Sequence, residues 1–109
     1  MANYQLIALS SPVAGREQEF DSWYDQRHIP DVLDVPGFVS AQRYRLEAPM
    51  GESRWSSMVI YEVQTDDPNK TLEEIQRRIG TPKMELGAAL DVPSITVFFA
   101  MATGKPHKL

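Results

Sequence analysis

Residues 4–9 (Tyr-Gln-Leu-Ile-Ala-Leu) form an almost unbroken apolar run that ends in Ser10-Ser11-Pro12. A short apolar run closed by turn residues predicts a buried strand. The next segment changes period. Phe20, Trp23, Tyr24, Arg27 and His28 recur at helical spacing on one face, and Glu17 and Glu19 lie where carboxylates favour the positive helix end. This predicts a helix over residues 16–28. Pro30 lacks a backbone donor and disfavours helical geometry at Ile29, so the helix is expected to stop there. Asp31-Val32-Leu33 then reads as a short turn leading to Val35-Pro36-Gly37.

From residue 38 to 46 the period is two. Phe38, Ser40, Gln42, Tyr44 and Leu46 fall on one face and Val39, Ala41, Arg43 and Arg45 on the other. Residues 54–63 alternate likewise, with Trp55, Val59, Tyr61 and Val63 on one side and Met58 and Ile60 opposite. Thr71-Leu72-Glu73-Glu74 matches a capping box and predicts a helix over 72–79, ended by Gly80 and Pro82. A further helical piece is expected over 83–90. Residues 95–101 read as a strongly apolar last strand, and residues 103–109 as a mobile polar tail. The order β-α-β-β-α-β is the α+β, ferredoxin-like split βαβ arrangement: a four-stranded antiparallel sheet with helices on one face. Two helices cover only one face. The apolar positions left on the other face call for a partner, and a second copy with two-fold symmetry is the economical one.

Composition narrows the classes. A chain of 109 residues is one domain, expected over residues 1–102 with the tail outside it. Apolar residues make up 42% and charged residues 24%, which suits a packed core and argues against a disordered chain. The absence of cysteine excludes a disulfide scaffold, a thiolate metal centre and a thiol nucleophile. A net charge of -4 without a basic run argues against nucleic acid. No apolar run approaches the ~20 residues that span a bilayer, and Met1-Ala2-Asn3-Tyr4 has no basic n-region. The expectation is a cytoplasmic protein that binds neither membrane nor nucleic acid.

A helix carrying Trp23-Tyr24 and His28-x-Pro30, followed by Val35-Pro36-Gly37-Phe38 and a strand with Arg43-Tyr44, resembles the EthD-like group of the dimeric α/β-barrel superfamily. The motif spans about a third of the chain. The resemblance implies a ferredoxin-like protomer and a homodimer whose two sheets close into a barrel around small-molecule cavities. The wider superfamily includes cyclases, dehydratases, isomerases, cofactor-free monooxygenases and haem-degrading enzymes, so the fold does not choose a chemistry. Haem degradation there uses a histidine on the second helix, and residues 72–90 contain none.

His28 is the one histidine inside the expected domain. It lies one turn beyond Tyr24 and two beyond Phe20, which points it toward the sheet. An imidazole accepts and returns protons near neutral pH, so His28 is the candidate general base and acid; the rival reading is a core histidine bonding a carbonyl freed near Pro30. Asp25 and Asp31, three residues to either side, would orient the ring or favour its charge, and burial would oppose that. Tyr24, Tyr44 and Tyr61 are phenols able to hydrogen-bond a developing oxyanion, or equally to pack in the core. Tyr44 and Tyr24 are the expected carbonyl-polarising groups. Phe20, Trp23, Trp55, Tyr61 and Phe98 are the expected apolar, substrate-binding wall. Arg43 and Arg45 would bind a carboxylate or bridge two protomers. Asp21, Asp25 and His28 have the spacing of a weak metal site, but a second histidine is missing outside the tail, and no metal is expected.

The leading reading is a cofactor-independent homodimeric enzyme acting on a hydrophobic or aromatic carbonyl compound by acid/base chemistry: a lyase, dehydratase, cyclase or isomerase. The alternatives are a dimer that binds a small molecule without changing it, and a cofactor-free monooxygenase.

Overall fold

The computed structural model describes residues 2–109. Its strands are β1 (Ala2–Ser10), β2 (Phe38–Arg45), β3 (Ser57–Thr65) and β4 (Thr96–Ala100). They pair antiparallel in the order β2-β3-β1-β4. With helices between β1 and β2 and between β3 and β4, the chain has the expected α+β, ferredoxin-like architecture. Alternation decides which side is core. Tyr4, Leu6, Ala8 and Ser10 of β1 align with Val63, Tyr61, Val59 and Ser57 of β3 on the helix-covered face. Leu6, Val59, Tyr61 and Val63 are buried there with Phe20, Tyr24, Val32 and Ile75 of the helices. Burying each large apolar side chain contributes roughly 1.5–3 kcal/mol.

The other face is open. Across it run two rows, Gln42–Ile60–Ile7–Phe98 and Tyr44–Met58–Leu9–Thr96. Tyr44 and Phe98 are both exposed. The alternation expected for β2 needs one correction. A bulge between Phe38 and Ser40 inserts a residue, so Phe38 shares the core face with Ala41 and Arg43 rather than with Ser40, Gln42 and Tyr44. The turn before it requires Gly37: its φ is +96°, and a Cβ would lie 2.6 Å from the Gln64 carbonyl oxygen.

The first helix does not stop before Pro30. It runs as α1 (Glu17–Trp23), a π-helical turn (Tyr24–His28) and α2 (Ile29–Leu33). The Ile29 N–H reaches back five residues to the Tyr24 carbonyl. The wider turn ends at His28 and puts Pro30, whose missing donor and bulky ring would otherwise break the ladder, in the first turn of α2, so the helix absorbs the proline. The Asp31–Leu33 turn is therefore helical.

The second helix, α3 (Pro68–Arg78), starts earlier than the capping box predicts. Asp67 is the cap, its carboxylate accepting from the Asn69 N–H at 3.0 Å. Thr71 instead lies buried inside the first turns and donates to Thr65 Oγ1 at 2.8 Å. Glu74 pairs with Arg78 at 2.7 Å.

The helix expected over residues 83–90 does not form. The segment is a chain of turns tied by isolated bridges, Ile79 to Met84 and Leu90 to Pro12. Gly80 and Pro82 precede it and Gly87 interrupts it, and Gly87 is needed for contact: a Cβ there would lie 2.7 Å from the Trp23 indole. β3 begins at Ser57, which leaves Trp55 in the preceding loop. Residues 101–109 have no regular structure and are exposed. Among the described residues no helix is long and apolar enough to cross a membrane.

Candidate functional site

A cavity of about 80 Å³ lies between the helix layer and the sheet. The sheet contributes Leu6, Ala8, Ser10, Tyr61 and Val97. The first helix contributes Tyr24 and His28, and the 79–90 segment contributes Met84, Leu86 and Leu90. Most of this wall is apolar. The exceptions are His28, Tyr24, Tyr61 and Ser10.

The π-turn sets their arrangement. Residues five apart share a face only where the helix widens to i→i+5 bonding, and Trp23 stacks on the His28 ring with centroids 4.6 Å apart and planes 24° apart. The Tyr24 ring meets His28 edge-on at 5.1 Å. Trp23 is fixed from behind by Gly87 and by its Nε1–H, which donates to the Glu85 carbonyl at 3.3 Å. The His28 ring is thus held by aromatic packing on two sides.

The polar atoms at the cavity are unusual in lacking partners. His28 Nδ1 and Tyr61 Oη are buried without a hydrogen-bond partner among the described residues. Ser10 Oγ also makes no hydrogen bond of good geometry. Leaving such a group unpaired costs about 1–3 kcal/mol, so several together are expected where a ligand or water completes them.

Burial sets their charge. It lowers the His28 pKa to about 4, against a smaller opposing pull from Asp31, so the imidazole is neutral at neutral pH. Burial pushes the Tyr61 phenol well above its usual range, the Tyr24 phenol adds to that, and the Arg43 guanidinium opposes it. Tyr24 is raised for the same first reason, against pulls from Ser10 and Arg43. The site therefore combines one neutral imidazole with two protonated phenols, a proton acceptor and hydrogen-bond donors lining one cavity.

Arg43 stands behind this group. Its Cζ lies 4.9 Å from the Tyr24 ring centroid and 5.8 Å from that of Phe20. It donates to Asp21 at 2.9 Å and to Asp25 at 3.1 Å. Burial opposes its charge, but the bonds to Asp21 and Asp25 outweigh that and raise its pKa.

The sequence-predicted residues divide accordingly. His28, Tyr24 and Tyr61 come together at the cavity, with Trp23 supporting the ring and Phe20 in the core beneath Arg43. Tyr44 and Phe98 sit on the open face of the sheet, away from His28. Trp55 donates to the Ser94 carbonyl at 2.8 Å and lies outside the cavity. Asp25 is turned to Arg43, and Asp31 pairs with Arg27 at 3.1 Å, acting on His28 only through its field. Asp21 and Asp25 both pair with the Arg43 guanidinium, so Arg43 has two counter-charges within its own chain. Arg45 pairs with Glu47 at 2.8 Å.

Sequence reasoning missed Ser10 and the wall from Met84 to Leu90. Ser10 carries a signal, a polar residue in phase with Leu6 and Ala8 on the core face. The Met84–Leu90 wall carries none of comparable strength.

Two larger depressions open on the surface, of about 690 and 440 Å³. The first, lined by Phe38, Lys70 and Glu74 among others, has no imidazole or phenol. In the second, between α1 and β2, the Arg43 guanidinium is committed to Asp21 and Asp25. Of the described buried side-chain atoms without a partner, His28 Nδ1, Tyr61 Oη and Ser10 Oγ belong to residues lining the interlayer cavity, and Arg43 Nε and Ser57 Oγ to residues lining the second depression; the imidazole and its neighbouring phenols are at the interlayer cavity.

No family model and no curated protein matches the chain. Two solved structures share its fold. One is an ethyl tert-butyl ether D (EthD) family protein from Bacillus halodurans, 20% identical, with a TM-score of 0.58 over 94% of this chain and all of that one. The other is described as a "putative monooxygenase" from Shewanella loihica, 15% identical, with a TM-score of 0.59 over 95% of this chain and 97% of that one. The fold expected from the Trp23–Pro30 motif is the fold found, and at these identities the likeness extends to the fold alone.

Proposed function

We propose that the chain is a small, cofactor-independent enzyme that moves protons on a hydrophobic carbonyl compound held between its sheet and helices. The supporting observation is the set of polar groups in an otherwise apolar cavity: a neutral His28 and a protonated Tyr61 phenol, each with a buried atom that has no hydrogen-bond partner among the described residues, and the protonated Tyr24 phenol, whose ring meets His28 edge-on. His28 takes a proton from the carbon next to the carbonyl. Tyr61 or Tyr24 hydrogen-bonds the oxygen as it becomes an enolate. The imidazolium then returns the proton to another atom of the same compound, which gives isomerisation, or to a departing group, which gives elimination or lyase cleavage. A desolvated imidazole is a weak base in the empty site, and the oxyanion forming beside it raises its basicity as the proton moves. Asp31 supports the imidazolium by its charge, and Trp23 by its π face.

In this reading Tyr44 and Phe98 serve assembly rather than chemistry. With Ile7, Leu9, Met58 and Ile60 they form the open sheet face, which a second copy covers in a two-fold dimer.

The test begins with native mass spectrometry of gently purified protein, then reweighing after denaturation. It should find twice 12.3 kDa with a releasable compound. Turnover of that compound should fall about 10²–10⁴-fold in His28→Ala, the usual contribution of a positioned acid/base group. Undiminished turnover in His28→Ala, or oxygen uptake matched to substrate loss, would overturn the reading.

A further inference from the structure

We infer that the interlayer cavity selects a small, uncharged, acyclic carbonyl compound and rejects both carboxylates and rings. The inference rests on the proposed function and narrows it. Among the described residues, no Asp, Glu, Lys or Arg lines the cavity. The Arg43 guanidinium lies over the Tyr24 ring and is already held by two carboxylates, Asp21 and Asp25. A carboxylate entering this space would shed its hydration and meet no counter-charge, and the available hydroxyl and imidazole hydrogen bonds return far less than that desolvation costs. A neutral ligand pays no such penalty. Its charge appears only as the oxyanion forms, when the phenols can bond it, so the wall discriminates in favour of the transition state rather than the bound ground state.

Size narrows the class further. A volume of about 80 Å³ is about half that of the ~150 Å³ apolar cavity in which a benzene ring fits. Acetone and butanone, acyclic and with fewer heavy atoms than a six-membered ring, are the carbonyl probes of this size class. A six-membered ring requires Met84, Leu86 or Ile79 to give way.

The test uses isotopically labelled full-length protein and the probes butanone, propanoate and cyclohexanone. Propanoate is nearly isosteric with butanone and differs chiefly in charge. Binding is followed by the aromatic NMR signals of His28, Tyr24 and Tyr61 at pH 7.5. Butanone should shift these signals, while propanoate and cyclohexanone bind at least tenfold more weakly. Leu86→Ala, which trims the apolar wall, should bring cyclohexanone to within threefold of butanone. Propanoate binding as well as butanone would overturn the charge selection, and cyclohexanone binding equally well to the parent protein would overturn the size limit; either result leaves the proposed function standing. If none of the three probes moves these signals, the inference falls together with the reading of the cavity as a carbonyl site.

Discussion

Replacing His28 with Gln should flatten the dependence of stability on pH between 5 and 7.5. In the folded chain burial lowers the His28 pKa to about 4, whereas the imidazole of the unfolded chain is an ordinary one near 6.5. As pH falls through this window the unfolded chain takes up a proton that the folded chain refuses. Stability from a neutral buried imidazole is therefore complete above about pH 6.5 and is lost as pH falls toward 4. With those two values the loss is about 2 kcal/mol at pH 5 and about 3 kcal/mol at pH 4. The ring edge keeps some solvent contact, so these are upper figures. For a domain of this size 2 kcal/mol corresponds to a Tm drop of roughly 10 °C. Thermal unfolding by circular dichroism at pH 5.0, 6.0 and 7.5 reads it directly. Glu74, held below its ordinary value chiefly by Arg78, gives up its contribution only at more acidic pH, and it is present in both proteins. His107 lies in the exposed tail of both. Equal Tm slopes for the parent and His28→Gln would show that His28 is not held neutral by burial, and the acid/base assignment would lose its footing.

Other substitutions probe the supports. Gly87→Ala drives a Cβ into the Trp23 indole and should cost about 1–3 kcal/mol in urea unfolding, more than the same change at the uncrowded Gly104. Tyr61→Phe deletes a buried hydroxyl without a partner; it should leave stability unchanged or raise it by about 1 kcal/mol while lowering turnover, the signature of a group kept for function. Arg43→Met removes two carboxylate bonds and the contact over Tyr24 and leaves Asp21 and Asp25 facing each other, so a loss of about 1–3 kcal/mol is expected by denaturant titration, shrinking in high salt. Ile7→Lys places a charge at the centre of the open sheet face and should shift the sedimentation mass from dimer to monomer without altering the circular dichroism spectrum of the fold.

The sheet was the legible part of this chain because its periodicity is local. Leu6, Val59, Tyr61 and Val63 announce a core face by alternation, and the helical spacing of Phe20, Tyr24 and His28 carries those side chains to it. The departures arise where distant contacts override a local signal. Pro30 ends helices in isolation, yet here the π-turn over Tyr24–His28 accommodates it. Val39 reads as an ordinary strand residue, yet the Gly37 turn and the pairing to Gln64 and Val63 force a bulge beside it. Residues 83–90 have helical composition, yet Gly87 must sit against Trp23 and Met84 must bridge to Ile79. The same logic divides the site. His28 and Tyr24 were legible from one helix, and Tyr61 as a core-facing phenol. Asp25 turns to Arg43 and Tyr44 to the open face of the sheet, placements that depend on how β2 lies against α1 and that spacing within one segment does not encode.

The most direct test of the central claim is deuterium wash-in. Butanone incubated in D₂O at neutral pD with the parent protein or with His28→Gln is followed by proton NMR at its α-carbons. The account predicts that the parent accelerates exchange well above buffer and that His28→Gln loses about 10²–10⁴ of that acceleration. Exchange at the buffer rate with the parent, or equal acceleration by both proteins, would contradict a proton-transferring role for the neutral imidazole in the cavity.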